Sequence, residues 1–260
     1  MKFKYLFTGI LLIPFIYGIN AQRSFYFTST PTLTPKGDEV IFSYNGQLWR
    51  SSVTAGMAYQ ITSLQGISNR PRVSPDGKWL AFSNSQFGNS DVYIMPLFGG
   101  EIKRLTFHSA NDFVESWSWD NQWIYFTSNR YDRMSTYKVN IDGGTPQRVF
   151  SSNYFDYTHD AVEHPKTGEI FFDDTWESFN FYNRIGYRGA FNPEIQSYNP
   201  KTKEYKKYTD WQGKDMSASI DKNGKIYFIS DEDNGQYNLY TFDGKKKIAL
   251  THFNTSVMRP

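Results

Sequence analysis

The sequence predicts an all-β chain folded as a β-propeller of four-stranded blades, and three observations predict it. A turn feeding a short apolar run with a phenylalanine near its end recurs five times. The copies are spaced as propeller blades are. No stretch sustains the 3.6-residue apolar period of an amphipathic helix.

The five copies are "LTPKGDEVIFS" at Leu33–Ser43, "VSPDGKWLAFS" at Val73–Ser83, "WSWDNQWIYFT" at Trp117–Thr127, "EHPKTGEIFFD" at Glu163–Asp173 and "SIDKNGKIYFI" at Ser219–Ile229. Pro presets φ and Gly supplies φ > 0, so each copy reads as a tight turn entering a strand. With Gly37, Gly77, Asn121, Gly168 and Gly224 taken as equivalent, the steps are 40, 44, 47 and 56 residues. A polar hairpin follows, and then a third strand: "QLWRSSV", "DVYIMPL", "STYKVNI" or "YNLYTFD". The fourth strand closes on "QIT", "RLT", "RVF", "KYT" or "ALT". Aromatics at 18% of residues, with Phe 22 and Tyr 19, suit pleated and half-buried surfaces.

The blades are expected over roughly 31–70, 71–115, 116–160, 161–217 and 218–260, within one domain spanning 22–260. Arg259–Pro260 repeats the Arg70–Pro71 that stands before the next blade. An arc that does not close exposes apolar faces. The expectation is therefore an N-terminal piece of a six- or seven-bladed propeller. A five-bladed ring closed by the segment around Ser24–Thr30 is the alternative.

Residues 1–21 stand apart. Lys2 and Lys4 precede an apolar core from Tyr5 to Tyr17, then small or polar residues to Ala21, the pattern of a secretory signal peptide. The apolar core is shorter than the roughly 20 residues a membrane anchor needs. An exported protein, periplasmic or secreted, is expected. With no cysteine, it draws nothing from disulfides.

Lys+Arg 28 against Asp+Glu 26 leaves a net charge of +2, which predicts no nucleic-acid partner and no strong attraction to anionic membranes. There is no G-x-S-x-G elbow, no H-E-x-x-H and no thiolate, so the sequence marks no catalytic residue, no metal site and no cofactor. His108 and His252 follow a blade-closing "LT" and read as repeat positions, and His159 and His164 read as loop residues. "DEDNG" at Asp231–Gly235 reads as a polar hairpin, not a calcium loop, because no bidentate Glu follows at the required spacing.

"SPDGKWLAFSN", "DVYIMPLFGGEIKRLTFHSANDFVESWSWD" and "VEHPKTGEIFFDDTWES" resemble the amino-terminal propeller of tricorn-type serine peptidases, and more specifically the exported homologues of Bacteroidetes-like bacteria. The similarity extends over nearly the whole chain after the leader. It implies a propeller that admits or selects peptides for PDZ and protease domains lying beyond this chain. No position here matches a catalytic residue of that family. The implied partners are a peptide or protein substrate, those missing domains and, as an open option, further copies in a homo-oligomer. The single-blade motif is also similar to TolB-type periplasmic propellers, so a non-enzymatic protein-interaction platform is the alternative.

One segment breaks the repeat. Between Phe172 and Tyr198 lie 25 residues, where only 10 lie between Phe82 and Tyr93. This insert carries Trp176, Phe179, Tyr182, Arg184, Tyr187, Arg188 and Phe191. Long loops in compact domains are commonly functional, and aromatics with Arg are enriched at binding hot spots. The insert either contacts a peptide or merely packs over one mouth of the propeller or against another domain. On the binding reading, Arg188→Ala is expected to leave stability nearly unchanged, while Phe82→Ala costs about 3–5 kcal/mol.

Overall fold

The computed structural model describes residues 28–54, 56–131, 133–150 and 157–256. The expected signal peptide and the Arg259–Pro260 pair lie outside them. The described residues form five four-stranded antiparallel sheets, each with its strands in chain order. The first holds β1 (Ser29–Leu33), β2 (Glu39–Tyr44), β3 (Gln47–Ser52) and β4 (Ala58–Gln60). The second holds β5 (Ser68–Val73), β6 (Trp79–Asn84), β7 (Asp91–Pro96) and β8 (Lys103–Arg104). The third holds β9 (Asp112–Trp117), β10 (Trp123–Ser128), β11 (Ser135–Asn140) and β12 (Gln147–Arg148). The fourth holds β13 (His159–Glu163), β14 (Ile170–Asp173), β15 (Gln196–Tyr198) and β16 (Tyr205–Lys207). The fifth holds β17 (Asp215–Ile220), β18 (Ile226–Ser230), β19 (Asn238–Asp243) and β20 (Lys246–Ala249). Each sheet is one blade of a β-propeller. The unit starts expected at 31, 71, 116, 161 and 218 fall inside β1, β5, β9, β13 and β17, because the innermost strand precedes the recurring turn.

That turn has a simple local cause. The N–H of Gly37, Gly77, Asn121, Gly168 and Gly224 each returns to the carbonyl three or four residues earlier, at 2.8–3.1 Å. All five residues sit at φ between 63° and 86°, where glycine is at ease and Asn is tolerated. In "SPDGKW", Ser74 Oγ accepts from the Trp79 N–H (3.0 Å) and donates to Asp76 Oδ1 (2.6 Å). Ser118 repeats this with Trp123 and Asp120.

Period-2 alternation sends successive side chains of one strand to opposite neighbours. Leu80 and Phe82 pack with Tyr93 and Met95 against Ile41 and Leu48 of the first blade. Ala81, Val92 and Ile94 pack against Val114, Ile124 and Phe126 of the third. The same interdigitation joins the third blade to the fourth through Tyr125 and Phe172, and the fourth to the fifth through Phe171 and Phe228. Cross-strand rings stack within blades, with centroids 5.7 Å apart for Phe82 and Tyr93 and 5.8 Å for Phe126 and Tyr137.

A threonine hydroxyl clasps the outer half of every blade. The N–H of Leu48, Val92, Thr136, Ile195 and Leu239 donates to Oγ1 of Thr62, Thr106, Thr158, Thr209 and Thr251 at 2.8–2.9 Å. Four of these are the threonines of the closing tripeptides. In the third blade, "RVF" has none, and Thr158 substitutes from eight residues further on. Around the axis, β1 packs on β5, β5 on β9, β9 on β13 and β13 on β17. Among the described residues, β17 and β1 do not pack on each other as those four pairs do.

Candidate functional site at the channel mouth

The innermost strands surround an axial cavity of about 600 Å³ whose wall includes Thr30, Arg72, Glu115, Asp160 and Ser217. A continuation of about 560 Å³ runs toward the turns, past Pro35, Pro75, Trp119 and Asn223. The five recurring turns therefore ring one mouth, and the starts of the innermost strands ring the other.

Every innermost strand is bulged at the same place: between Ser29 and Thr32, between Asn69 and Arg72, at Glu115, between His159 and Val162, and between Met216 and Ser219. Thr30, Arg70, Asp160 and Ser217 hold φ of 48°, 50°, 51° and 56°, a region costly for residues with a Cβ. A bulge frees backbone N–H groups, and polar side chains take them up. Arg70 N–H donates to Thr30 Oγ1 at 3.2 Å, Ser217 N–H to Asp173 Oδ2 at 3.0 Å, and Asp160 and Ala161 N–H to the Glu115 carboxylate at 2.7 and 3.1 Å. Thr127 also donates to Glu115.

The third and fourth blades thus gather Glu115, His159, Asp160 and Asp173 at this mouth. Burial drives the pKa of both Glu115 and Asp173 upward, and the charge of Asp160 adds to each. For His159, burial alone acts downward, but Asp160, Asp173 and Glu115 outweigh it and lift the pKa to about 9. Sequence reading placed His159 in a loop. It is instead the first residue of β13 and 2% exposed, because β13 pairs His159 with Asp173. His164 does occupy a turn, where its Nε2 meets the Gly224 carbonyl at 3.1 Å.

Ser178 Oγ lies 2.9 Å from His159 Nε2, and His159 Nδ1 lies 3.4 Å from Asp160 Oδ2. The distances approach those of a nucleophilic triad, but the polarity is reversed. Ser178 Oγ donates to the Thr175 carbonyl at 2.9 Å, so it accepts from Nε2–H. Nε2 also faces that carbonyl at 3.3 Å, and a base would need its lone pair there. The trio is a buried hydrogen-bond chain, and it supplies no nucleophile.

The insert is ordered by charge. Thr175 caps the short helix α1 (Trp176–Asn180), its Oγ1 accepting from Ser178 N–H. Buried Glu177 takes Arg184 Nε at 2.9 Å and the buried Lys214 Nζ at 2.8 Å, and Lys214 also donates to the Phe181 carbonyl at 2.6 Å. Buried Asp231 takes Arg188 Nη1 at 2.6 Å, Trp211 Nε1 at 2.9 Å and the Lys214 N–H at 3.0 Å. The insert is therefore anchored on the strand-start side of the fourth and fifth blades.

Of the residues singled out in the insert, Arg184 and Arg188 pair with Glu177 and Asp231, and Tyr187 lies beneath the Arg184 guanidinium at 3.8 Å. Phe179 packs on the His159 ring at 5.2 Å, and Trp176 packs on Phe181 and Phe191. Tyr182 and Phe191 face solvent, at 38% and 52% exposure. Arg188 is the cation of a buried carboxylate, so the expectation that its removal leaves stability unchanged gives way. Sequence reading missed Glu177, Lys214 and Asp231, whose partners lie up to 45 residues away. The available signal was a run of charges within and just after an otherwise aromatic insert. The remaining acids of "DEDNG" are also paired, Glu232 with Lys247 and Asp233 with His252.

Five four-stranded blades arranged around an axial channel define the β-propeller class of domain. The chain belongs to the family of tricorn protease N-terminal beta propeller domains, whose model matches residues 27–259. A tricorn protease homolog of Saccharolobus solfataricus is 26% identical over 234 residues, 84% of this chain but 20% of that protein. The chain thus spans about a fifth of that relative. The crystal structure of the tricorn protease superposes with a TM-score of 0.72 at 23% identity, covering 89% of this chain and 23% of that one. TolB from Acinetobacter baumannii superposes with a TM-score of 0.64 at 20% identity, covering 85% of this chain and 53% of that one. Both structural likenesses bear on the fold.

Proposed function

We propose that this propeller gates peptides for a tricorn-like serine peptidase whose catalytic domain lies beyond this chain. One observation carries the reading: the insert is anchored on the strand-start side of the fourth and fifth blades, the side on which Asp160 and Ser217 line the axial cavity, and it presents Tyr182 and Phe191 to solvent. Exposed rings beside a channel whose wall offers Arg72, Glu115 and Asp160 suit a polypeptide, which has apolar side chains and charged ends. The leader over 1–21 supports export to the periplasm or beyond. The test has two parts. The coding frame past Pro260 is read for PDZ and protease domains, and binding of unstructured peptides is measured for the chain and for Tyr182→Ala/Phe191→Ala. Binding that weakens in the double variant supports gating. Equal binding by both removes the insert from the mechanism.

A TolB-like interaction platform is the second reading, favoured by the likeness to TolB over 85% of the chain. It predicts no protease domain downstream and capture of a folded protein partner in place of unstructured peptides.

A further inference from the structure

We infer that His159, Asp160 and Asp173 form a binding site for one divalent transition cation of the zinc class at the channel mouth. One ligand atom from each lies within 4.8 Å of the others. His159 Nδ1 and Asp160 Oδ2 are 3.4 Å apart. Two ligands held at about 2.0–2.1 Å from a tetrahedral ion stand at that separation.

The outer shell is also in place. A ligating histidine needs its second nitrogen fixed by a carbonyl or similar acceptor. Nε2 of His159 faces the Thr175 carbonyl and Ser178 Oγ, which leaves Nδ1 as the nitrogen directed at the aspartates. Asp173 Oδ2 is held by the Ser217 N–H at 3.0 Å. Asp160 and Asp173 flank His159 and Glu115 accepts from the Asp160 N–H, so three carboxyl groups converge at this one place.

One nitrogen and two carboxylates suit Zn²⁺, with Mn²⁺ as a harder competitor, and give no thiolate preference. Asp160 lines the axial cavity, so an ion enters from the channel and a water completes its shell. Two ligands come from β13 and one from β14, and His159 continues through Nε2 to the cap of α1. The ion therefore ties the insert to the channel wall. This inference stands apart from the gating reading, because it concerns binding of the metal alone.

The test uses the full chain, stripped with EDTA and titrated with Zn²⁺ and separately with Co²⁺. Expected are one equivalent bound, a visible Co²⁺ ligand-field spectrum and a raised Tm. His159→Gln and Asp160→Asn each weaken binding at least about tenfold, and Asn is at ease at the left-handed backbone of residue 160. His252→Gln, at the exposed pair with Asp233, changes nothing. Absence of both spectrum and Tm response in the unaltered chain overturns the site and leaves Nδ1 holding a proton only. Binding lost in His252→Gln and kept in His159→Gln overturns it as well.

Discussion

At Thr106 one hydroxyl closes a blade: it accepts from the Val92 N–H at 2.9 Å in a site without water access. Thr106→Val keeps the shape and strands that N–H, so a loss of about 1–3 kcal/mol is expected in urea unfolding. Phe82 is fully buried between the first two blades, and Phe82→Ala is expected to cost about 3–5 kcal/mol by the same measurement. Arg188→Ala removes a charged donor from buried Asp231 but leaves the Trp211 and Lys214 N–H groups in place. We expect a loss of about 1.5–3 kcal/mol. A change below the error of the unfolding curve would show that the pair does not hold the insert. Which residues point inward was legible from strand alternation, as at Leu80, Ala81 and Phe82. The pairing of Arg188 with Asp231 was not, because no local rule connects residues 43 apart.

At the scale of the element, the turns were legible and the bulges were not. A turn is written in its own four residues, and Ser74-Pro75-Asp76-Gly77 needs nothing from elsewhere to explain it. A bulge at Asp160 depends on the Glu115 carboxylate from another blade, so its sequence carries only the trace of an out-of-place charge. The loop before β5 makes a different demand: a Cβ on Gly66 would stand 2.6 Å from the Ser85 backbone, at φ +76°. Gly66→Ala should shift the hairpin after β6, visible as altered amide resonances confined to the first two blades. The insert should respond to acid. Burial alone raises the pKa of Asp231 and of Glu177, but hydrogen bonds from Arg188 and Trp211, and from Arg184 and Lys214, outweigh it, and both net shifts are downward. A carboxylate with a depressed folded pKa stabilises fully above its unfolded value and loses that stabilisation as pH falls through the folded one. Hydrogen exchange across 176–195, corrected for intrinsic rate, should therefore accelerate below about pH 4 before the blades open. Uniform acceleration of all five blades would show that the insert has no separate anchorage.

Across the whole molecule, stability is divided among interfaces, each shared by two neighbouring blades. Phe82 belongs to the interface of the first two blades and Phe228 to that of the last two. The effects of Phe82→Ala and Phe228→Ala should therefore add within about 0.5 kcal/mol. Phe82→Ala and Leu48→Ala share one cluster and should not add. Double-mutant unfolding cycles check both. Blade number and connectivity were legible at this scale because the repeat is copied in the sequence. The buried cluster around His159 was not, since His159 and Asp173 meet only through the pairing of β13 with β14, and Glu115 reaches them from the preceding blade.

The threonine clasp of the fourth blade has a practical consequence. Thr209 takes up the Ile195 N–H, so regular geometry restarts at the first residues after the insert, whatever precedes them. The path from Asp173 to Glu194 is then a grafting port. A foreign loop spliced there meets a strand already fastened from its far side, provided Lys214 and Asp231 are first exchanged for uncharged residues that do not need the original insert. Such a scaffold displays a chosen sequence on the strand-start side of the propeller while the blade beneath it keeps its own closure.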